Sequence, residues 1–241
     1  MIRPMFALLA LSIASLAAAD TVDRPTIKAG DSWIYRVTSE KGPGTWAQSR
    51  DELTVTRVTG TTIFFNIKAA GSSQPPRDLF MGADWSRSRD VNGKETVVNR
   101  PLSFPLTVGK SWDLSFTELN PTKTHQSEKR EIRLQVVGME EVEVPAGRFQ
   151  ALKIEGEGHW TAELAPGQTV TQGAQTSDAG TTMVTEVKRN GSGETTGRIY
   201  HAYWYAPQAK RWIKAIEEYY SSGGVRSERT TQELESYKFA E

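Results

Sequence analysis

The chain has 241 residues, no cysteine, and equal numbers of basic and acidic residues, 29 of each. This balance provides no net field to attract nucleic acid or an acidic polymer, so nucleic-acid binding is not expected. Without cysteine the chain can form neither a disulfide nor a thiolate metal site, but it is long enough to bury a core without them.

The N-terminal segment has the pattern of a cleavable secretory signal. Arg3 supplies positive charge, Met5 to Leu16 is mostly apolar, and Ala17-Ala18-Ala19 forms an A-x-A cleavage site before Asp20. The apolar run is shorter than the ~20 residues that span a bilayer, which argues against a membrane anchor. We expect this signal, residues 1–19, to be removed, leaving a soluble periplasmic chain with no membrane span.

Alternating apolar and polar residues predict an all-β domain over residues 20–241. Asn92-Gly93 favours the positive φ angles of a type I′ hairpin turn. No segment of this region has the pattern of a convincing amphipathic helix. We expect a bent antiparallel sheet, or two packed sheets, approaching a half-open barrel. The predicted strands are 32–38, 53–58, 62–68, 85–91, 95–99, 111–117, 129–137, 142–144, 149–156, 181–188, 198–205, 211–220 and 225–237.

Two stretches between the predicted strands have the composition of loops. Gly71 to Arg77 carries Pro75-Pro76, and Leu164 to Gly180 is rich in Gly, Thr, Gln and Ser. The second stretch is long for a loop of a compact domain, so we interpret it as a lid or a disordered segment.

One short pattern occurs twice in the chain. Ala29-Gly30-Asp31-Ser32-Trp33 is similar to Val108-Gly109-Lys110-Ser111-Trp112, and both lead into a predicted strand. Two explanations fit: the same turn opens two strands, or an old duplication divides the chain into halves near residue 100. In either case glycine makes the turn and tryptophan covers one end of a sheet.

Residues that could carry catalysis or bind metal are few. His125, His159 and His201 lack the spacing of a metal site, so neither a metal nor any other cofactor is expected. Glu155 and Glu157 alternate on one strand face. They are typical of an exposed charged face, although paired acids also serve glycoside hydrolases. We therefore predict no catalytic residue.

An aromatic cluster provides the candidate binding surface. Alternation along the strand places Tyr203 and Tyr205 on one side and Trp204 on the other. We predict that Trp204 packs in the core and that the two tyrosines face a wetter groove, where their hydroxyls meet water or a ligand. The alternative is that both faces are buried. The candidate ligand-binding residues are Tyr203, Tyr205, Trp212 and Trp160.

A strand-turn-strand pattern supplies the predicted structural motif. Pro145 fixes φ and removes a donor at the turn, and Gly147 can adopt the positive φ that follows. Phe149 and Trp204 complete the set of motif residues. The pattern V-E-V-P-A-G-R-F-Q-A-L-K-I at 142–154, with Y-W-Y-A-P at 203–207, resembles a group of uncharacterised proteobacterial periplasmic all-β domains of unknown function. The resemblance implies an exported antiparallel β protein and supplies no catalytic residue.

These observations favour a non-enzymatic periplasmic binding or envelope-accessory protein. Its expected partner is a lipid-like, apolar or amphipathic molecule, or the surface of another envelope protein. Two alternatives stay open: a hydrolase acting on envelope glycans through Glu155 and Glu157 beside Trp160, and a structural subunit that offers a sheet edge to a neighbour.

Overall fold

The fold is described from a computed structural model for residues 21–42, 44–165, 168–178, 181–191 and 193–241, with side chains outside 166–192. The predicted signal sequence lies outside the described residues. Among the residues described, no helix has both the length and the apolar character needed to cross a bilayer.

The described residues form fourteen β-strands and one short 3₁₀ helix, at Pro207–Ala209. The strands are β1 (Ser32–Lys41), β2 (Thr45–Val58), β3 (Thr62–Ala69), β4 (Arg77–Gly82), β5 (Arg87–Val91), β6 (Lys94–Asn99), β7 (Ser111–Leu119), β8 (His125–Val144), β9 (Gly147–Leu164), β10 (Gln168–Asp178), β11 (Thr181–Gly191), β12 (Glu194–Ala206), β13 (Arg211–Tyr220) and β14 (Arg226–Lys238).

Ten of these strands form one antiparallel sheet in the order β4-β3-β2-β1-β14-β13-β12-β9-β8-β7. The sheet is not closed into a barrel, and β4 and β7 are its two edges. Two further pairs, β5-β6 and β10-β11, form small sheets of their own. The predicted all-β class is therefore confirmed, in the form of one large open sheet.

The buried side chains gather on one face of the large sheet, which we call the inner face. Trp33, Phe65 and Leu134 belong to this face, and each is at most 2% exposed. The long connection between β4 and β7 packs onto it through Trp85 and Leu102, which are 1% and 0% exposed. The core therefore lies between the sheet and a chain segment that crosses it.

The alternation predicted from the sequence holds in the best-patterned strands. Ile132, Leu134 and Val136 of β8 are buried, as are Trp33 and Tyr35 of β1. A shift of a strand by one residue would move its whole row of buried side chains to the exposed face, so burial fixes the register of each pairing.

The predicted hairpin at Asn92-Gly93 is confirmed, with φ angles of 55° and 81°. Asn92 also contacts the edge strand β7. Its side-chain nitrogen donates to the Thr117 carbonyl at 2.8 Å, and its side-chain oxygen accepts from the Leu119 N–H at 2.9 Å. The asparagine amide thus occupies backbone groups of an edge that would otherwise be open to another strand.

Gly147 follows the Pro145-Ala146 turn between β8 and β9 and has φ of +124°, as predicted. The turn also contacts β14, because the Ala146 N–H donates to the Leu234 carbonyl at 2.9 Å. Phe149 of the same motif is buried, at 6% exposure.

The first copy of the repeated Gly-x-Ser-Trp pattern opens β1. Gly30 has φ of +93°, and its N–H donates to the Val55 carbonyl at 2.8 Å. The Val55 N–H in turn donates to the Asp31 carbonyl at 2.8 Å. This pair of hydrogen bonds joins the strand opening to the neighbouring strand β2.

The second copy opens β7 with the same geometry. Gly109 has φ of +86° and donates to the Val136 carbonyl at 2.8 Å, while the Val136 N–H donates to Lys110 at 2.9 Å. In both copies the valine is followed by a β-bulge. The use of one strand-opening turn at two places is thus confirmed, whereas an old duplication stays a prediction.

Some local predictions were wrong. Residues 168–178 form β10, paired with β11, where the composition predicted a loop or a disordered segment; a lid stays a prediction. Arg77 begins strand β4 rather than ending a loop. Trp85 was placed in a strand but lies in a turn with φ of 61°. Composition could not decide these cases, because Thr- and Gln-rich segments occur both in strands and in loops, and tryptophan usually favours a strand rather than a turn.

Candidate functional site at Arg211

The aromatic cluster around Ala206-Pro207 has the opposite orientation to the one predicted. Tyr203 and Tyr205 are buried, each at 1% exposure, while Trp204 is only half-buried. Trp204 lies on the outer face, where its Nε1–H donates to Glu140 at 2.9 Å. Register decides burial here: strand alternation places both tyrosines inward, whatever the surface area of Trp204.

Inside the sheet, Arg211 is the residue that marks a candidate site. It begins β13 and is 3% exposed. Burial lowers the pKa of its guanidinium. Four aromatic rings surround its Cζ, at 4.2 Å (Trp212), 4.5 Å (Trp85), 5.2 Å (Tyr35) and 6.0 Å (Trp33) from the ring centres. Such contacts stabilise a cation but accept no strong hydrogen bond.

The backbone on both sides of Arg211 is held by hydrogen bonds from the same rings. Trp33 Nε1 donates to the Ala209 carbonyl at 2.7 Å. Tyr35 Oη donates to the Trp212 carbonyl at 2.6 Å, and burial raises the pKa of that tyrosine to about 12. These hydrogen bonds hold the backbone on both sides of Arg211 against two of the rings that surround its guanidinium.

Two of the three guanidinium nitrogens of Arg211, Nε and Nη1, are buried and have no hydrogen-bond partner among the described residues. Asp31, a buried charge at 0% exposure, differs sharply. It accepts from Lys210 Nζ at 3.0 Å and from the Lys28 and Ala240 N–H groups at 3.0 and 2.9 Å. This protein therefore pairs one buried charge fully and leaves donors of another unpaired.

A partly enclosed cavity of about 120 Å³ lies beside the guanidinium, and we call it the Arg211 cavity. Its wall includes Trp85, Asn99, Tyr203, Arg211, Trp212 and Glu217. The cavity thus combines flat apolar rings with charged and amide groups, which is the usual composition of a small-molecule site.

Glu217 belongs to a hydrogen-bonded group on the cavity wall. Its Oε1 accepts from Tyr203 Oη at 2.7 Å and from Asn99 Nδ2 at 3.2 Å. The pKa of Tyr203 is raised well above its ordinary value, mainly by burial and secondly by the charge of the adjacent Glu217 carboxylate. The phenol therefore stays a hydrogen-bond donor to Glu217.

His201 lies next to this group and is also buried, at 4% exposure. Its Nδ1 is 3.5 Å from Tyr203 Oη, and its Nε2 is buried and meets no hydrogen-bond partner in the described part of the chain. Burial lowers the pKa of the imidazole, an effect that the Glu217 carboxylate opposes. His201 is therefore neutral at pH 7.

The structure brings together two of the four predicted binding residues. Tyr203 and Trp212 line the Arg211 cavity, and their rings are 5.8 Å apart. Tyr205 is buried elsewhere on the inner face, against Phe104 at 5.4 Å. Trp160 lies apart from the cavity, where its ring stacks on His125 at 5.8 Å. Whether any of them binds a ligand stays a prediction.

The acids considered for catalysis form no catalytic pair. Glu155 contacts Lys153 Nζ at 2.7 Å and accepts from Tyr200 Oη at 3.0 Å. The lysine contact, as the main cause, lowers the pKa of Glu155, and Glu157 is exposed. His125 has its Nδ1 2.9 Å from Glu128. Within the described part of the chain, no group of three His, Cys, Asp or Glu side chains could hold a metal ion.

Larger clefts lie at the surface but lack the features of the Arg211 cavity. One of about 540 Å³ is lined by Asp23, Arg24, Asp84 and Phe104, among others. Another of about 460 Å³ lies beside Gly197, Arg198 and Tyr220. Both are more open to solvent than the Arg211 cavity, so a ligand there would stay more exposed to water.

Arg211 was not predicted from the sequence, because Gln208-Ala209-Lys210-Arg211 has the composition of a polar turn. A charged residue at the start of a strand is normally exposed, so its burial could not be read from the pattern.

Comparisons with known proteins add little to this geometry. No protein-family model matches the chain, and no curated protein matches it. A solved structure from Parabacteroides distasonis ATCC 8503, described as a "putative lipoprotein", is 12% identical over 91% of this chain and 100% of its own, with a TM-score of 0.46. A "putative exported protein with YmcC-like fold" from Bacteroides fragilis NCTC 9343 is 14% identical over the same shares, with a TM-score of 0.40. Similarity at this level supports no inference, and the resemblance to periplasmic domains stays a prediction.

Proposed function

We propose that this chain is an exported, non-enzymatic binding protein that holds a small amphipathic molecule in the Arg211 cavity. The observation that carries the proposal is a buried guanidinium with unpaired donors beside a cavity of about 120 Å³. Buried polar groups normally find a partner within the protein, and those that do not are candidates for contact with something else.

The size of the cavity narrows the ligand that was expected from the sequence. A volume of about 120 Å³ is equivalent to about four water molecules, so a long acyl chain does not fit inside the cavity. The rest of the inner face is filled by core side chains such as Leu102 and Leu106, both 0% exposed. A small molecule with one polar end and a short apolar part fits this space.

Binding is favoured over hydrolysis because the acids are engaged or exposed. Glu155 is held by Lys153 and Tyr200, and the half-buried carboxylate of Glu217 accepts from two donors on one oxygen. A general acid needs a carboxyl whose pKa is raised. The pKa of Glu155 is instead lowered, chiefly by Lys153.

Export is the part of the proposal that rests on the sequence. The charged start, the apolar run and Ala17-Ala18-Ala19 support cleavage before Asp20 and delivery to the periplasm. Intact mass of protein isolated from the periplasm should correspond to a chain beginning at Asp20. Recovery of only the full-length chain, in the cytoplasm, would contradict export.

The binding site is tested by filling the cavity. Ala215 lies on its wall and is 3% exposed, so Ala215→Leu places an isopropyl group in the space. Thermal unfolding is followed with a panel of acetate, butyrate, butyramide and glycine, each raised to millimolar concentration. We expect at least one compound to raise the unfolding temperature of the wild type and none to raise that of Ala215→Leu.

Ala47→Leu, on the exposed part of β2, is the matched control and should behave like the wild type. If no compound stabilises the wild type, or if Ala215→Leu responds equally, the Arg211 cavity is not a binding site.

A structural subunit is the second candidate, because of the edge strand β4. Its Leu79 and Phe80 are 39% and 57% exposed, and an exposed apolar edge strand can pair with another strand. The occupant would be a second copy of this chain. Sedimentation equilibrium should then show a dimer that Phe80→Lys converts to a monomer, and a monomeric wild type would dismiss this candidate.

A further inference from the structure

We infer that the ligand of the Arg211 cavity is a short-chain monocarboxylate, whose carboxylate accepts hydrogen bonds from the Arg211 guanidinium. The inference rests on the proposed function, since it names the class of molecule that the same cavity holds. It is argued from unmet hydrogen bonds, from charge and from size.

The hydrogen-bonding deficit at the site lies on the donor side. Nε and Nη1 of Arg211 are buried donors that contact no acceptor among the described residues. Glu217, the carboxylate on the same wall, already accepts from Tyr203 and Asn99. A ligand that completes the site must therefore bring acceptors, and carboxylate oxygens match a guanidinium in geometry and charge.

Charge also favours an anion at Arg211. Glu217, the acid on the same wall, is half-buried and accepts from Tyr203 and Asn99, whereas the buried Nε and Nη1 of Arg211 contact no acceptor in the described part of the chain. The other arginine of the wall, Arg87, is exposed, so water screens its charge. A neutral ligand would therefore leave the buried Arg211 cation without a negative partner.

The apolar part of the ligand is limited by the remaining wall. Trp85, Trp212 and Ala215 offer ring faces and a methyl group to the space. With about 120 Å³ available, the ligand has about four to six non-hydrogen atoms, by comparison with the volume of water. Acetate, propionate and butyrate have this size, and octanoate does not.

The experiment compares isosteres by isothermal titration calorimetry at pH 7 and constant ionic strength. Purified wild-type protein is titrated with butyrate and with butyramide, which has nearly the same shape without the charge. We expect butyramide to bind about tenfold more weakly or worse. Acetate and propionate should bind and octanoate should not.

Two variants assign the effect to Arg211. Arg211→Met should reduce butyrate affinity by about tenfold or more, while Arg211→Lys should retain part of it because the charge remains. Arg36→Met, which removes a half-exposed arginine paired with Glu233 on the sheet, is the control and should leave butyrate affinity unchanged.

The outcomes separate this inference from the proposed function. Equal binding of butyrate and butyramide, with no loss in Arg211→Met, would overturn the carboxylate inference and leave the cavity as a binding site. Tighter binding of glycine than of acetate would overturn it in favour of a zwitterion shared by Arg211 and Glu217. Absence of binding by every compound, with Ala215→Leu indistinguishable from the wild type, would overturn both. If Arg211→Met fails to fold, the comparison of isosteres in the wild type still decides.

Discussion

Arg211→Met distinguishes a guanidinium that stabilises the fold from one that is kept for a ligand. Methionine has a similar length and no donors, and it adapts to irregular space in a core. Each buried donor without a partner costs about 1–3 kcal/mol. Removing Nε and Nη1, the two unpaired atoms, should therefore recover about 2–6 kcal/mol of the free energy of unfolding.

The aromatic rings around Arg211 oppose this gain. Trp212 and Trp85 have their ring centres 4.2 and 4.5 Å from Cζ, and a desolvated cation–π contact contributes about 2 kcal/mol. Loss of two such contacts costs about 4 kcal/mol, which lies within the range of the gain. The ligand-free variant should thus remain within about 2 kcal/mol of the wild type, on either side.

Asp31→Ala is the contrasting control, because Asp31 is buried with every partner present. Removing it leaves Lys210 and two N–H groups without their acceptor, and loss of one partner of a buried pair costs about 3–5 kcal/mol. Both variants are unfolded in urea, followed by circular dichroism, after dialysis against carboxylate-free buffer. If Arg211→Met loses as much stability as Asp31→Ala, the guanidinium is fully paired in solution and serves the fold.

Three further changes test local features. Gly147→Val should reduce the free energy of unfolding by about 1–3 kcal/mol, seen as a lower urea midpoint, because the φ of Gly147 is +124°. The control is Gly138→Val, since Gly138 has an ordinary φ and open space around it. Equal loss of stability in the two variants would contradict the argument from backbone strain. Gly197→Ala should also lower the free energy of unfolding, since a Cβ there would overlap with the Tyr220 carbonyl oxygen. Burial lowers the pKa of His201, although the charge of Glu217 acts to raise it. As the pH falls through about 6.5, the imidazole therefore gains a proton in the unfolded chain before it does so in the folded chain. Stability should therefore fall as pH drops from about 7 to 5, and less so in His201→Gln; an equal pH dependence would contradict this.

Much of the sheet was predictable because burial on one face imposes a period of two. The rows Ile132-Leu134-Val136 and Trp33-Tyr35 alternate with polar residues, and both lie inward in the structure. Strands β4 and β10 were missed because their flanking Pro, Gly and Thr residues also suit loops. Strand order was out of reach, since pairing between distant segments leaves no trace in local composition.

The site was only partly predictable for a related reason. Alternation correctly separated Tyr203 and Tyr205 from Trp204, but the choice of inner face needed contacts from other strands. Trp85 reaches the cavity from a turn in the connection that crosses the sheet. Arg211 is buried only because these rings surround it, and no local pattern records that arrangement.

The hydrogen bonds beside Arg211 determine how the site should respond to mutation. Trp33 and Tyr35 hold the carbonyls of Ala209 and Trp212, so the backbone that carries Arg211 is held in place before any ligand arrives. A donor held rigidly loses little conformational entropy on binding, which favours affinity from few contacts. Tyr35→Phe removes one of these hydrogen bonds while leaving the ring in place. It should therefore weaken carboxylate binding while Arg211 itself stays intact, an effect that rings acting only as packing would not produce.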